Sequence, residues 1–593
     1  MSKGKLLLST VFVLSWAVSG ATCLAQQSAT PALEASIYSG GDILTMRGTT
    51  PEYVESLVVK DGKILFAGTL AESARLAGAN SKRINLNGKT LLPGFIDTHG
   101  HFVYFGKNLI DANLFDCADI AELVSRMKKQ VERTPEGAWI VGFGYQARTL
   151  KEGLAPTSEE LDQISADRPV MIVDSSGHLG AANGQAFQAA GITADTPDPT
   201  GGSFARKTDG KSLLGPMEET ALNAVRSKRP ALTEELAARA ITGAAEVWAS
   251  YGQTTAMEAG LGLGNDDIGI VLNAIDKKLL PIDLYIAAKD SSLDDTLAAA
   301  YSVASQYNPN SEGIVEQLRT ARPDLDRRYV NRVRMGGVKF WLDGSIDTAW
   351  FTQPYTQNPP GKTGAFSGYQ QIPDEVLDAV FDKYWASDLQ IHMHMNGDAA
   401  ADQALSAIAK AVKKHGMRDH RPVFVHAALV RVDQIEKIKT YGAIPSFLTA
   451  GIPTAGDAVV RLWGQERAAI TLASRTFLRN GLPFTFSHDA PVSPVPSILA
   501  LVDAGVNRIS ASGQVVGPEE TISPYHALRA VTAMAAYQLK EEASKGTLEA
   551  GKLADLVILD KNPLKVESTT IKDIVVLETI KEGKTVFTRS ASN

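Results

Sequence analysis

Two patterns of apolar positions divide the chain. Near both ends, short runs alternate apolar with polar residues and are separated by turn-forming pairs. "SIYSGGDILTM" (36–46), "ESLVVKDGKILFAG" (55–68) and "KRINLNGKTLLPG" (82–94) do so first. "KGTLEAGKLADLVILDKNP" (545–563) and "IVVLETIKEGKTVFTR" (574–589) do so last. A period of two is that of a half-buried strand, and Asp61-Gly62 between two β-rich runs signals a hairpin. Because chain ends often lie close together, residues 35–92 and 545–593 are expected to build one small β-sandwich domain. Between them, continuous apolar runs alternate with helical stretches. "ELAARAITGAAEVWASYG" precedes "QTTAMEAG", and "DEVLDAVFDKYWASD" precedes "LQIHMHMNGD". Strand and helix alternating over residues 93–544 predict an α/β fold, most economically a TIM-like (β/α)8 barrel. Two segments read as insertions: about 145–230, rich in Gly, Pro and Thr, and 288–331, an irregular helical excursion. Insertions of this length on a barrel serve as lids or substrate pockets.

Composition narrows the class. Of 593 residues, 44% are hydrophobic and 21% charged, the balance of a soluble globular protein. A formal net charge of −7, with no concentrated Lys/Arg run, speaks against a nucleic-acid partner. The first residues differ from the rest. "MSKGKLLLSTVFVLSWAVSGATCLAQQ" has a basic start, an apolar stretch from Leu6 to Val18 and small residues before Gln26. That is the layout of a secretory signal peptide covering residues 1–25, which predicts a periplasmic or secreted protein with no membrane attachment after cleavage. Lipidation of Cys23 is an alternative, with Thr22 a poor residue directly before it. Removal of the segment leaves Cys117 as the one cysteine, expected to be a small buried side chain. It excludes a disulfide framework and a cysteine-rich zinc site.

Histidines change the picture most. The chain has ten, and six of them close apolar runs: His99 and His101 in "GFIDTHGH", His392 and His394 in "LQIHMHMNGD", His426 in "RPVFVHAALV", His488 in "LPFTFSHDAP". Lys339 lies in another such run, "MGGVKFWLDGS", and Asp489 follows His488. Residues i and i+2 of a strand project to one face, about 7 Å apart along the backbone. In a barrel all C-terminal strand ends border one site, where residues distant in sequence meet. The pattern predicts a metal centre, with two solvated strand-end histidines as the bland reading of any one pair.

These runs resemble the amidohydrolase superfamily of metal-dependent hydrolases, in particular the branch containing N-substituted formamide deformylase. The likeness is carried by "PGFIDTHGH", "VKFWLDGS", "HMNGD", "FVHAALV", "SHDAPV" and "GTLEAGKLADLVILD", and in the first insertion by "DRPVMIVDSSGHLGAAN" and "GPMEETA". It spans nearly all of the chain after the leader. The resemblance implies one or two divalent ions, zinc first among the candidates. His99 and His101 would hold the more buried ion together with Asp489, and His394 and His426 the second. Lys339 would bridge them as an N-carboxylated lysine, or else be a cation beside a single-metal site. Asp489 would also move the proton from the attacking water to the leaving amine. "HMNGD" selects His394 over His392, which is expected to lie deeper, and His488 is expected to be structural. His178 reads either as a substrate contact that polarises the carbonyl or as a surface-loop histidine. Tyr145, Trp139 and Glu218 are weaker candidates for the same role. The function expected is exported hydrolysis of a C–N bond in an amide, formamide or N-acyl compound of small-molecule size. Hydrolysis of an ester, lactone or phosphoester is the alternative on the same centre. Self-association into a homo-oligomer is left open.

Overall fold

The computed structural model describes residues 35–590 apart from 200–201, 263, 265, 290–313, 324, 326–327 and 360–361. The signal-peptide segment and the middle of the second insertion lie outside the described residues. Eight parallel strands form the central sheet: Phe95–Ile96, Gln253–Leu261, Asp283–Lys289, Val333–Trp341, Gln390–Met395, Val423–His426, Ile444–Phe447 and Thr485–Phe486. Every consecutive pair in this series is hydrogen-bonded in parallel. The sheet curls until its last strand returns to its first. There Thr98 Oγ1 donates to the Phe486 carbonyl at 3.0 Å, and the Asp489 N–H donates to the His99 carbonyl at 2.9 Å.

The predicted helix–strand alternation is found where the apolar spacing put it. Glu234–Ser250 is a helix capped by Thr233, whose side chain accepts from the Leu236 N–H. It buries Ala237, Ala240, Ile241, Ala244, Ala245 and Trp248, the one-face repeat of an amphipathic helix against a sheet. Gly252 then turns the chain into the next strand. Its φ of +83° and a Cβ position 2.8 Å from the Phe95 ring together require glycine. Asp374–Trp385 followed by Gln390–Met395 repeats the unit.

Both chain ends do join in one sheet. Thr90–Pro93 pairs antiparallel with Leu556–Leu559, Leu91 opposite Ile558. All eight strands of this sheet are continuous by hydrogen bonding. Asp61 (φ +50°) and Gly62 (φ +76°) make the predicted hairpin turn, both in the left-handed region a tight turn of this kind needs. Strand Ser36–Leu44 pairs first with Lys82–Asn85 and, beyond an irregularity at Gly40-Gly41, with Thr90–Pro93. The terminal sheet is locked to the central one by buried charge: Lys581 Nζ lies 2.7 Å from both Asp283 and Asp555, and Lys545 Nζ 2.7 Å from Asp283.

The first insertion is a layer of its own, six strands from Ala112–Asn113 to Leu213–Glu219. It begins before residue 145, where the Gly/Pro/Thr-rich composition starts. Its first part, helix Ile120–Val131 and strand Ile140–Tyr145, has the periodicity of any β/α unit and carries no compositional mark. Of the second insertion, Ile314–Ala321 is helical.

Candidate metal centre

The candidate side chains stand where strands of the central sheet end. His426 (φ +67°), Ala427 (φ +44°) and Asp489 (φ +55°) hold the left-handed backbone region there. Such positions cost of order 1–3 kcal/mol each for non-glycine residues and are kept where surrounding packing fixes them. His99 Nε2 lies 3.2 Å from Asp489 Oδ1, His101 Nε2 3.1 Å from the same oxygen, and His426 Nε2 3.8 Å from Asp489 Oδ2. The His99 ring is 5.2 Å from that of His101 and 5.1 Å from that of His426, whose ring is 4.7 Å from His394. Four histidines thus form a chain around one carboxylate.

Their polar atoms are strikingly short of partners for so buried a place. Both ring nitrogens of His99, Nδ1 of His101 and of His426, and Asp489 Oδ1 make no hydrogen bond among the described residues. Buried polar atoms are otherwise satisfied in folded proteins, and each unmet one costs roughly 1–3 kcal/mol. His99, His426 and Asp489 offer three ligand atoms within 4.8 Å of one another. Nitrogen and oxygen donors converging without hydrogen bonding to each other fit a divalent cation of zinc type.

Electrostatics agree with that fit. Burial, with the Lys339 charge, pushes the His99 imidazole well below its ordinary range. Burial and neighbouring His394 do the same to His426, and burial lowers His394. Neutral imidazole is the form that ligates. His101 goes the other way: burial opposes protonation, but Asp489 and Glu258 hold it up to about 9. Burial also resists ionisation of Asp489, yet His99 and His101 keep it well below the carboxylate range. Lys339 is buried with its ammonium 5.0 Å from the Trp341 ring. Burial drives it down to about 7 against the pull of Asp489 and Glu258.

The other candidates are distributed as follows. His392 is one strand layer below His394, on the same face. Its Nε2 is 3.1 Å from Gln390 Oε1 and its ring 6.1 Å from Tyr285. His488 is turned from the site to Asp97, 3.3 Å away, beside the Trp248 ring. His178 sits on the turn between strands Val170–Asp174 and Leu179–Ala182. Tyr145 and Trp139 are instead packed in the two cores on either side of the insertion's sheet. Glu218 is exposed on strand Leu213–Glu219, opposite Leu179. Cys117 is a free, buried thiol.

Three acids at the site had been given no role. Asp343 Oδ1 meets His394 Nδ1 at 3.1 Å. Glu258 accepts from the Val103 N–H at 2.6 Å and faces His101 Nδ1 at 3.7 Å. Asp97 accepts from the His99 N–H and from Trp248 Nε1. Their signal was present: each is an acid inside or directly after an apolar run, where a charge is expensive unless paired.

The chain is similar to known proteins along most of its length. The model of the amidohydrolase family matches residues 82–587. N-substituted formamide deformylase of Arthrobacter pascens is 25% identical over 553 residues, 91% of this chain and 96% of its own. YtcJ of Bacillus subtilis is 24% identical over 565 residues, 94% of this chain and all of its own. The crystal structure of an uncharacterized metal-dependent hydrolase from Pyrococcus furiosus superposes with a TM-score of 0.69 at 27% identity, covering 90% of this chain and 100% of that one. With a match across most of its length and a buried cluster of donors suited to a metal, the chain belongs to the amidohydrolase family, metal-dependent hydrolases that act on carbon–nitrogen bonds.

Proposed function

We propose that this protein is an exported hydrolase of a small amide, formamide or N-acyl compound, working on a (β/α)8 barrel with a β-sandwich built from both chain ends. The convergence of His99, His101, His426 and Asp489, with buried donor atoms left unmet by hydrogen bonds, carries the reading. His99, His101 and Asp489 would hold one ion and His394 and His426 a second, zinc in each case, with Lys339 bridging as its carbamate. The depressed Lys339 amine supports that last step, because CO₂ adds only to the unprotonated nitrogen. Bound ions supply a Lewis acid for the carbonyl and acidify water towards neutrality.

The chain's own residues do the rest. Asp489, ionised and at the mouth of the last strand, takes a proton from the attacking water and returns it to the departing amine nitrogen. His178, on the insertion turn between strands Val170–Asp174 and Leu179–Ala182, would contact the substrate carbonyl. The insertion sheet behind it shapes the pocket and limits water. The bend of the terminal sheet at Gly40-Gly41 and its shared core of Ile43, Leu91, Leu556 and Ile558 support the sandwich reading. Export is supported by the leader-like residues 1–25. No described helix is long and apolar enough to cross a membrane.

Purified enzyme tested against formamides, N-acyl amino acids, simple amides, lactones and phosphotriesters decides the substrate class. Turnover of C–N substrates is expected to exceed that of the oxygen esters. Turnover confined to lactones or phosphotriesters would overturn the proposal.

A further inference from the structure

The "LDG" and "NGD" segments that follow two of the site strands converge on one side chain that no metal role accounts for. Asp343 stands two residues beyond strand Val333–Trp341 and is 1% exposed. Among the described residues, three peptide N–H groups donate to its carboxylate. Oδ1 accepts from the Asn396 N–H at 2.9 Å and faces His394 Nδ1 at 3.1 Å. Oδ2 accepts from the Gly397 N–H at 2.7 Å, the Trp350 N–H at 3.1 Å and the Asn396 N–H at 3.0 Å. An oxygen already accepting from a peptide N–H meets the imidazole as an acceptor too, so Nδ1 of His394 carries the ring proton. Nε2 then keeps its lone pair.

The carboxylate behind His394 meets it at Nδ1, 3.1 Å away. The glycine after Asn396 is part of the same device. A Cβ on Gly397 would stand 1.8 Å from the Trp350 carbonyl oxygen, so only glycine lets both peptide N–H groups reach the carboxylate together.

We propose that Asp343 is a positioning residue. It locks the tautomer and ring plane of His394, presenting Nε2 to the site before any ion arrives, and ties the loop at Trp350 to that histidine. Buried carboxylates behind metal-bound histidines act in this way, and their loss typically costs about 10–100-fold in metal affinity. The ligand role of His394 rests on the function proposed above; the tautomer does not.

The test uses the full chain labelled with ¹⁵N-histidine, in the presence of chelator, and long-range ¹H–¹⁵N correlation. The His394 signal is assigned by its loss in His394→Ala. A single tautomer with protonated Nδ1 and bare Nε2 is expected; protonated Nε2, or an average of the two, overturns the proposal without any variant. Asp343→Asn should lose the single tautomer, and Asp343→Glu should recover it. In zinc titrations Asp343→Asn should weaken the second equivalent about 10–100-fold and leave the first unchanged. The same substitution made in His394→Ala should weaken it no further. A lower melting temperature with the tautomer unchanged would reduce Asp343 to a structural residue. Failure of wild type to take up zinc would sink the metal reading, and the tautomer would still decide this one.

Discussion

The main-chain N–H of Asp489 donates to the carbonyl oxygen of His99 at 2.9 Å, and the side chains of the same two residues meet 3.2 Å apart. One contact joins the last strand of the central sheet to the first; the other brings a carboxylate against a neutral imidazole. The closure of the fold and the assembly of the site are therefore the same event.

Asp489→Asn separates proton transfer from architecture. Asparagine tolerates the left-handed backbone at this position and keeps one oxygen beside His99. General acid–base catalysis contributes about 10²–10⁴-fold, and kcat should fall by at least that order. Metal content should fall far less. Measuring kcat, metal per chain and melting temperature on one preparation checks this, and near-normal turnover in a stable, loaded variant removes Asp489 as the base.

Metal removal should abolish activity reversibly. Wild type is expected to carry one to two zinc equivalents, as proposed above, and to lose turnover on prolonged chelation and regain it on zinc addition. His426→Ala, which removes a member of the three-residue donor cluster, should not be restored by added zinc. Full turnover in rigorously metal-free enzyme contradicts the mechanism.

Lys339→Ala should cost the second ion while leaving the fold intact, since among the described residues the buried side chain lies against the Trp341 ring and in no ion pair that its loss would strand. Acetate or propionate should restore part of the activity by supplying a bridging carboxylate. Elemental analysis and turnover with and without the acids measure both effects. A bare Lys339 amine in a crystal structure with two ions fully bound would refute the bridge.

Acid sensitivity should originate partly at Asp283, where the terminal and central sheets meet. Burial resists its ionisation, but Lys545 and Lys581 hold its carboxyl well below the usual range. A depressed carboxylate contributes stability above its unfolded value of about 3.9, and that contribution is lost as pH falls through the folded value. Asp283→Asn should cost of order 3–5 kcal/mol near neutrality, because two buried ammonium groups lose a shared partner. The gap between variant and wild type should narrow from about pH 4 downwards. Urea unfolding of both across pH 2–7 reads the difference; a constant gap would show the cluster to be unimportant in acid.

The mature protein should begin near Gln26 and be found in the periplasmic or external fraction. N-terminal sequencing and fractionation test this, and active cytoplasmic enzyme that keeps Met1 excludes the leader.

Much of this molecule was set by local sequence. Strand period placed the terminal sheet, and Asp61-Gly62 fixed its hairpin. His99 and His101, one residue apart at the end of an apolar run, were expected to converge because alternate strand residues share a face, and their rings lie 5.2 Å apart. Parity could not separate His392 from His394, which also share a face. Depth along the strand decides, and depth depends on the register with neighbouring strands: Lys339 opposite His392, Trp341 opposite His394. Nor could composition show that the insertion sheet begins at Ala112, or that Tyr145 and Trp139 fill its cores. An aromatic side chain reads the same whether it lines a pocket or packs beneath it. The acids Asp343, Glu258 and Asp97 were visible as charges in apolar surroundings, but their partners come from strands and helices far along the chain. Sequence determines which side chains carry the chemistry; which nitrogen each imidazole presents is decided where distant backbone N–H groups and carboxylates meet it.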